Sequence, residues 1–241
     1  MLKYRRIIQH SARRIADAAN HTVQEFILDH VEHEPEFTGE MLGRMKEAMN
    51  DFVTRDIRWT AKVLTSQGPK AQENLFGADF MGVVEFDLPE YRVTKGFLAQ
   101  AKRVEHDQRI TPREWDRMVQ QCEQMLTITA ESFVFIYSRS GIIIVPALTI
   151  TSATTPTNPH EFYSRTALRF YKDHFECKVG DRAVSSADIE TLERLKARHA
   201  LYLGASPIQQ QLDLRAQPSP PPPPPPPPPA PPPRGRRIIF E

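Results

Sequence analysis

Asp79, Gln100 and Lys102 are the side chains whose types and spacing point to chemistry. In an extended segment residues i and i+2 project from one face, so Gln100 and Lys102 stand together while Ala99, Ala101 and Arg103 point the other way. Asp79 opens the preceding apolar segment, 21 residues before Gln100. If those two segments pair as neighbouring strands, the three side chains converge. A carboxylate, an amide oxygen and intervening backbone carbonyls are hard donors of the kind that hold Mg²⁺ or Mn²⁺. With a lysine beside them to orient and help deprotonate a water, these parts suit metal-assisted hydrolysis of a phosphodiester.

The elements that must position them follow from periodicity. Ile15, Ala18, Ala19, Val23, Phe26 and Ile27 recur at helical spacing between Ser11 and Val31, and a second helix after Thr38 carries Met41, Leu42, Met45 and Met49 on one face. The pattern then turns extended at Ile57 to Thr65, Phe80 to Phe86 and Lys95 to Arg103, which read as strands one to three. Thr111-Pro112-Arg113-Glu114 predicts a helix start, with Thr at the cap, Pro in the first turn and Glu closing a capping box; the helix runs to about Leu126. Ser132 to Tyr137 is a short apolar run of the type buried on both faces, and Gly141 to Leu148 reads as another strand. Residues Pro159 to Glu176 and Ser186 to Leu203 read as two further helices covering the sheet.

Gly77-Ala78-Asp79 followed on the next strand by Gln100-Ala101-Lys102, within an α-β-β-β-α-β order, resembles the PD-(D/E)XK nuclease superfamily in its QxK variant. The neighbourhood GAD…GFLAQAKR is most similar to Mrr-like restriction and phage-defence nucleases. The resemblance spans about Thr38 to Leu148 and implies an α/β fold: a restriction-endonuclease-like αβββαβ core with a mixed central sheet flanked by helices. It implies that Asp79 is the metal carboxylate, Gln100 a ligand through its amide oxygen, Ala101 a ligand through its carbonyl and Lys102 the catalytic lysine. Members often add a helix glutamate; Glu47 is the match, with Glu73 its rival. Ala78 stands where the superfamily's name has proline, and neutral Gln100 where the signature has an acid. The activity implied is Mg²⁺-dependent cleavage of DNA, double-stranded by preference, in restriction or antiphage defence. The alternative is a catalytically inactive nuclease-fold subunit that binds nucleic acid or docks a partner.

Composition frames this reading. The chain has 241 residues with 25% charged side chains and a net charge of +1, typical of a globular protein rather than a fibrous or wholly disordered one. Arg215, Arg234, Arg236 and Arg237 against Asp213 and Glu241 leave the first 205 residues at −1, so nucleic-acid contact must come from local patches. Two such patches are visible. Lys3, Arg5 and Arg6 form a basic arm, and Arg103, Arg109, Arg113 and Arg117 follow the Lys102 strand where a duplex would approach. Cys122 and Cys177 match neither a zinc spacing nor a disulfide framework, and no nucleophile partnership for either is visible, which suits a reducing cytoplasm. No apolar run spans a bilayer, so the expectation is a soluble protein without a membrane segment. His30 and His33 beside Glu32 and Glu34 read as a solvated helix end in preference to a zinc pair. There is no GxxxxGK[ST], GxSxG or GxGxxG motif, which disfavours an ATP-driven enzyme.

Three regions result: a basic helical segment over 1–37, a nuclease-like domain over 38–205 and a disordered, proline-rich tail over 206–241. Fourteen of the 22 prolines lie between Pro218 and Pro233. Pro220 to Pro233 should form a polyproline rod of about 40 Å at ~3.1 Å per residue, a spacer or a ligand for SH3- or WW-type grooves on a protein partner. Beyond it Arg236-Arg237-Ile238-Ile239-Phe240 could dock on a partner, and Gln211-Leu212-Asp213-Leu214 resembles a bacterial sliding-clamp-binding peptide. A homodimer or a larger defence complex is expected, because cutting two strands needs two sites.

Overall fold

The computed structural model describes residues 2–27, 34–66 and 77–208. Among them the strands form one mixed sheet of eight, ordered β1-β2-β8-β3-β4-β5-β6-β7. These are β1 (Val53–Thr54), β2 (Ile57–Thr65), β3 (Ala78–Leu88), β4 (Tyr91–Arg103), β5 (Ser132–Ser138), β6 (Gly141–Pro146), β7 (Arg165–Thr166) and β8 (Ala197–Pro207). The helices are α1 (Arg5–Ile27), α2 (Glu34–Met49), α3 (Pro112–Leu126), α4 (Ala147–Ser152), α5 (Ala167–Phe175) and α6 (Ile189–Arg194). The fold is α/β, with helices on both faces of the sheet.

Alternation along the strands divides the core in two. On β4, Phe97 and Ala99 face one apolar layer and Leu98 the other. The first layer holds Ile8 and Ile15 of α1, Met41 and Met45 of α2, and Phe170 and Phe175 of α5. The second holds Trp115, Met118 and Cys122 of α3, Ile150 of α4 and Leu192 of α6. Helix α1 therefore packs into the same layer as α2. Every residue of β5 is buried, as expected for a strand covered on both sides. The β3–β4 hairpin is a two-residue connection in which Pro89 presets φ and Glu90 takes φ 65°.

Several expectations need correction. The segment Ser186 to Leu203 is not one helix: α6 ends at Arg194, Lys196 turns the chain at φ 52°, and Ala197 begins β8. β8 runs parallel to β3 and antiparallel to β2, so it sits between strands expected to follow one another. The helix formers of 197–203 are overridden because both edges of this segment find ladder partners inside the sheet. Pro159 to Glu176 likewise divides into a single 3₁₀ turn, β7 and α5, with the Thr166 side chain capping the helix by accepting from Arg169 N–H. The sixth strand stops at Pro146 and passes directly into α4. At the front of the molecule α1 begins at Arg5 and β4 at Tyr91, both earlier than the periodicity indicates.

Candidate active site

β3 and β4 are antiparallel neighbours, and the register that sets Phe80 against Ala99 carries Asp79 alongside Gln100. Asp79 shares strand parity with Met81 and Val83, and Gln100 and Lys102 share it with Leu98, all of which belong to the layer beneath α3. All three candidate side chains thus lie on the α3 face of the sheet, where β3 begins and β4 ends.

The bonding within the group is specific. Asp79 Oδ2 accepts from the Ala101 N–H at 2.9 Å, which fastens the carboxylate to β4 between the other two residues. Gln100 is 1% exposed and donates through Nε2 to the Gly77 carbonyl at 2.6 Å. That carbonyl fixes the amide orientation, since the reversed amide would set two oxygens against each other. Gln100 Oε1 is left buried with no hydrogen-bond partner. An orphaned acceptor costs about 1–3 kcal/mol, so it stands out in a core where buried polar groups are normally paired.

Lys102 is partly buried and close enough to α3 for its charge to act on Cys122. Burial pushes the Cys122 thiol up to about 12 against that charge, which makes it a packing residue and not a nucleophile. A cavity of about 190 Å³ opens beside Lys102, lined by Arg103, Gln108, Glu114 and Arg117 over an apolar side that includes Met118. Its rim is built by two local devices. The Thr111 capping box and Pro112 start α3 as the sequence predicts. Asn158 Nδ2 donates to the carbonyls of Glu105, His106 and Gln108, holding the loop that follows β4. The Glu114 carboxyl is held below its ordinary range by hydrogen bonds from the Thr111 N–H and hydroxyl.

The remaining candidates are placed elsewhere. Glu47 is exposed on α2, whose apolar face packs on the opposite side of the sheet. It borders a separate groove with Arg13, Arg14 and Arg44, so it does not join Asp79. The acid that shares the Lys102 cavity is Glu114, which its role in the capping box had fully accounted for in the sequence. Arg103 and Arg117 line the cavity, and Arg109 and Arg113 are exposed next to it in sequence. Lys3, Arg5 and Arg6 are exposed at the start of α1, on the α2 side. Glu73, His30, His33, Gln211 to Leu214 and the proline-rich tail lie outside the described residues. Among the described residues no three His, Cys, Asp or Glu side chains gather in a ligand cluster, and no helix is long and apolar enough to cross a membrane. Asn158 and the Gly77 carbonyl carried no signal beyond an Asn-Pro dipeptide and a glycine.

The chain matches no family model, no curated protein and no solved structure.

Proposed function

We propose that this chain is a divalent-metal-dependent DNA endonuclease that hydrolyses phosphodiester bonds. The observation that supports it best is the buried, unpartnered Gln100 Oε1 on the same sheet face as the Asp79 carboxylate and Lys102. An orphaned oxygen beside a carboxylate is what a hard cation would satisfy, so the donor set fits Mg²⁺ or Mn²⁺. Asp79, Gln100 Oε1 and the Ala101 carbonyl would hold it. When bound, such an ion supplies Lewis-acid stabilisation of the charge that builds on the phosphorus and lowers the pKa of a bound water. In this reading the restriction-endonuclease-like core is α2-β2-β3-β4-α3-β5, with β8 inserted as an additional strand.

The protein's own groups divide the remaining work. Lys102 orients the attacking water and places a positive charge beside the phosphate. Arg103 and Arg117 bind flanking phosphate oxygens through charge-assisted hydrogen bonds, with Arg109 and Arg113 extending the basic surface along the duplex. The Ala101 N–H holds the Asp79 carboxylate in place, so no side-chain rearrangement is needed on binding. Two copies would be required to cut both strands, and restriction or antiphage defence is the setting the resemblance suggests.

Plasmid cleavage with Mg²⁺, Mn²⁺ or EDTA is the test. The wild type should nick or linearise DNA only with metal, and Asp79→Ala and Lys102→Ala should each lose on the order of 10²-fold or more. Normal cleavage by both variants overturns the proposal. Metal-independent DNA binding without cleavage would instead identify the inactive nuclease-fold alternative.

A further inference from the structure

A second group of reactive side chains lies at the far end of β4, on the opposite face of the sheet, and the nuclease reading does not use it. Lys95 is 4% exposed, and its Nζ meets no hydrogen-bonding group other than the neighbouring Cys177 side chain. A lysine buried this deeply needs an explanation, because the long stem normally carries the ammonium to water. Cys177 is a free, half-buried thiol in the turn after α5. The turn is fixed in place. Cys177 donates its N–H to the His174 carbonyl, and its backbone is held at φ 60°, an unusual conformation for a residue with a Cβ. Four residues on, the Gly96 and Asp181 backbones exchange two hydrogen bonds of 3.0 and 2.7 Å, which pins the turn to β4 one residue from Lys95. Tyr91 completes the group, with its hydroxyl 2.7 Å from Cys177 Sγ and donating to the Phe175 carbonyl at 3.3 Å. Amine, thiol and phenol therefore meet from positions far apart in sequence, and Cys177 gives the group a partly exposed side.

We propose that Cys177 and Lys95 form a peroxide-responsive pair, in which oxidation of the thiol is followed by a reversible sulfenamide bond to the lysine amine. In the first step Sγ attacks one oxygen of a hydroperoxide and the O–O bond breaks. Sulfur is oxidised by two electrons to the sulfenic acid, and the other oxygen leaves as water or alcohol with the thiol proton. In the second step the Nζ lone pair attacks the sulfenic sulfur. The S–N bond forms, the S–O bond breaks, and water departs with one amine proton at no further change in oxidation level. The second step needs a neutral amine. Burial lowers the Lys95 pKa, while Cys177 and Glu131 oppose that shift, so the amine gives up its proton more readily than a surface lysine. A thiol reductant reverses the bond.

Purified full-length protein treated with hydrogen peroxide, without added reductant, should become lighter by two hydrogen atoms. Proteolysis should yield a Lys95–Cys177 linked peptide that dithiothreitol separates. Cys122→Ala should retain the link, whereas Cys177→Ser, Lys95→Met and Lys95→Arg should each abolish it. With the amine gone, the sulfenic acid should persist, so dimedone labelling of Cys177 should rise several-fold in Lys95→Met and in Lys95→Arg. The arginine variant preserves the buried charge should the methionine protein fail to fold. An inert Cys177, equal dimedone labelling with and without Lys95, or a linked product that retains the peroxide oxygen overturns the proposal. None of these readouts depends on DNA cleavage.

Discussion

Lowering the pH from 7 to 5 should cost this fold on the order of 2 kcal/mol through His174 alone. The ring is 1% exposed and packed among Phe97, Phe170 and Phe175, with Nδ1 3.1 Å from the Val179 carbonyl, so the neutral ring donates from Nδ1. Burial, reinforced by the Lys95 charge, lowers its pKa to about 3. Between the ordinary value near 6.5 and that lowered value, the unfolded chain binds a proton that the folded chain refuses. Stability is therefore complete above about 6.5 and falls as the pH falls through that window. At pH 5 the unfolded state has gained about 1.5 pKa units of proton binding, at ~1.36 kcal/mol each. The carboxyls of Asp181 and Glu114, held low by hydrogen bonds, lose their contribution mainly below pH 5 and do not confuse the interval. His199, lowered to about 4 by burial and the Arg198 charge, adds a slope of the same sign, so the informative quantity is a difference between proteins. Urea unfolding at pH 5 and 7 should show His174→Gln losing about 2 kcal/mol of the pH dependence while still able to donate to Val179. An unchanged pH dependence in that variant would refute the reasoning.

Two other substitutions test the sheet and the site. In Gly96→Ala the new Cβ would lie 2.4 Å from the Gly82 carbonyl oxygen and 2.6 Å from that of Val184, both backbone atoms, so the cost should reach about 3 kcal/mol; denaturation within ~0.5 kcal/mol of wild type would contradict this. Gln100→Glu replaces the Nε2 donor facing the Gly77 carbonyl with an oxygen and adds a buried charge beside Asp79. The metal-free protein should melt lower and recover with Mg²⁺, and cleavage should saturate at lower Mg²⁺ than in the wild type. A melting temperature that ignores Mg²⁺ would count against a cation site at Gln100.

Much of the site's framework was legible because it is local. The capping box at Thr111, the break at Leu88-Pro89 and the doubly buried β5 each depend on a few consecutive residues, and the structure contains all three. The shared face of Gln100 and Lys102 follows from strand alternation alone. Failures occurred where the deciding contact was distant. Ala197 to Leu203 carries helix formers, and nothing near it reveals that β2 and β3 wait on either side. Glu47 looked eligible because helix glutamates have no address in a sequence, yet the apolar stripe of Met41, Met45 and Met49 commits α2 to the other layer.

What the sequence by itself determined, then, was the set of elements with a period of their own, α1 to α3 and β2 to β6, and the residue types available for chemistry. Tertiary structure alone decided which elements became neighbours. Only the paired β3 and β4 set Asp79 against the Ala101 N–H and strand Gln100 Oε1 without a partner. Only the Gly96–Asp181 bridge carries Cys177 to a buried lysine on β4. The reason is physical. Periodicity records which face of an element is buried, whereas strand order and cross-sheet contacts arise from long-range pairing whose partners are chosen by the whole core at once.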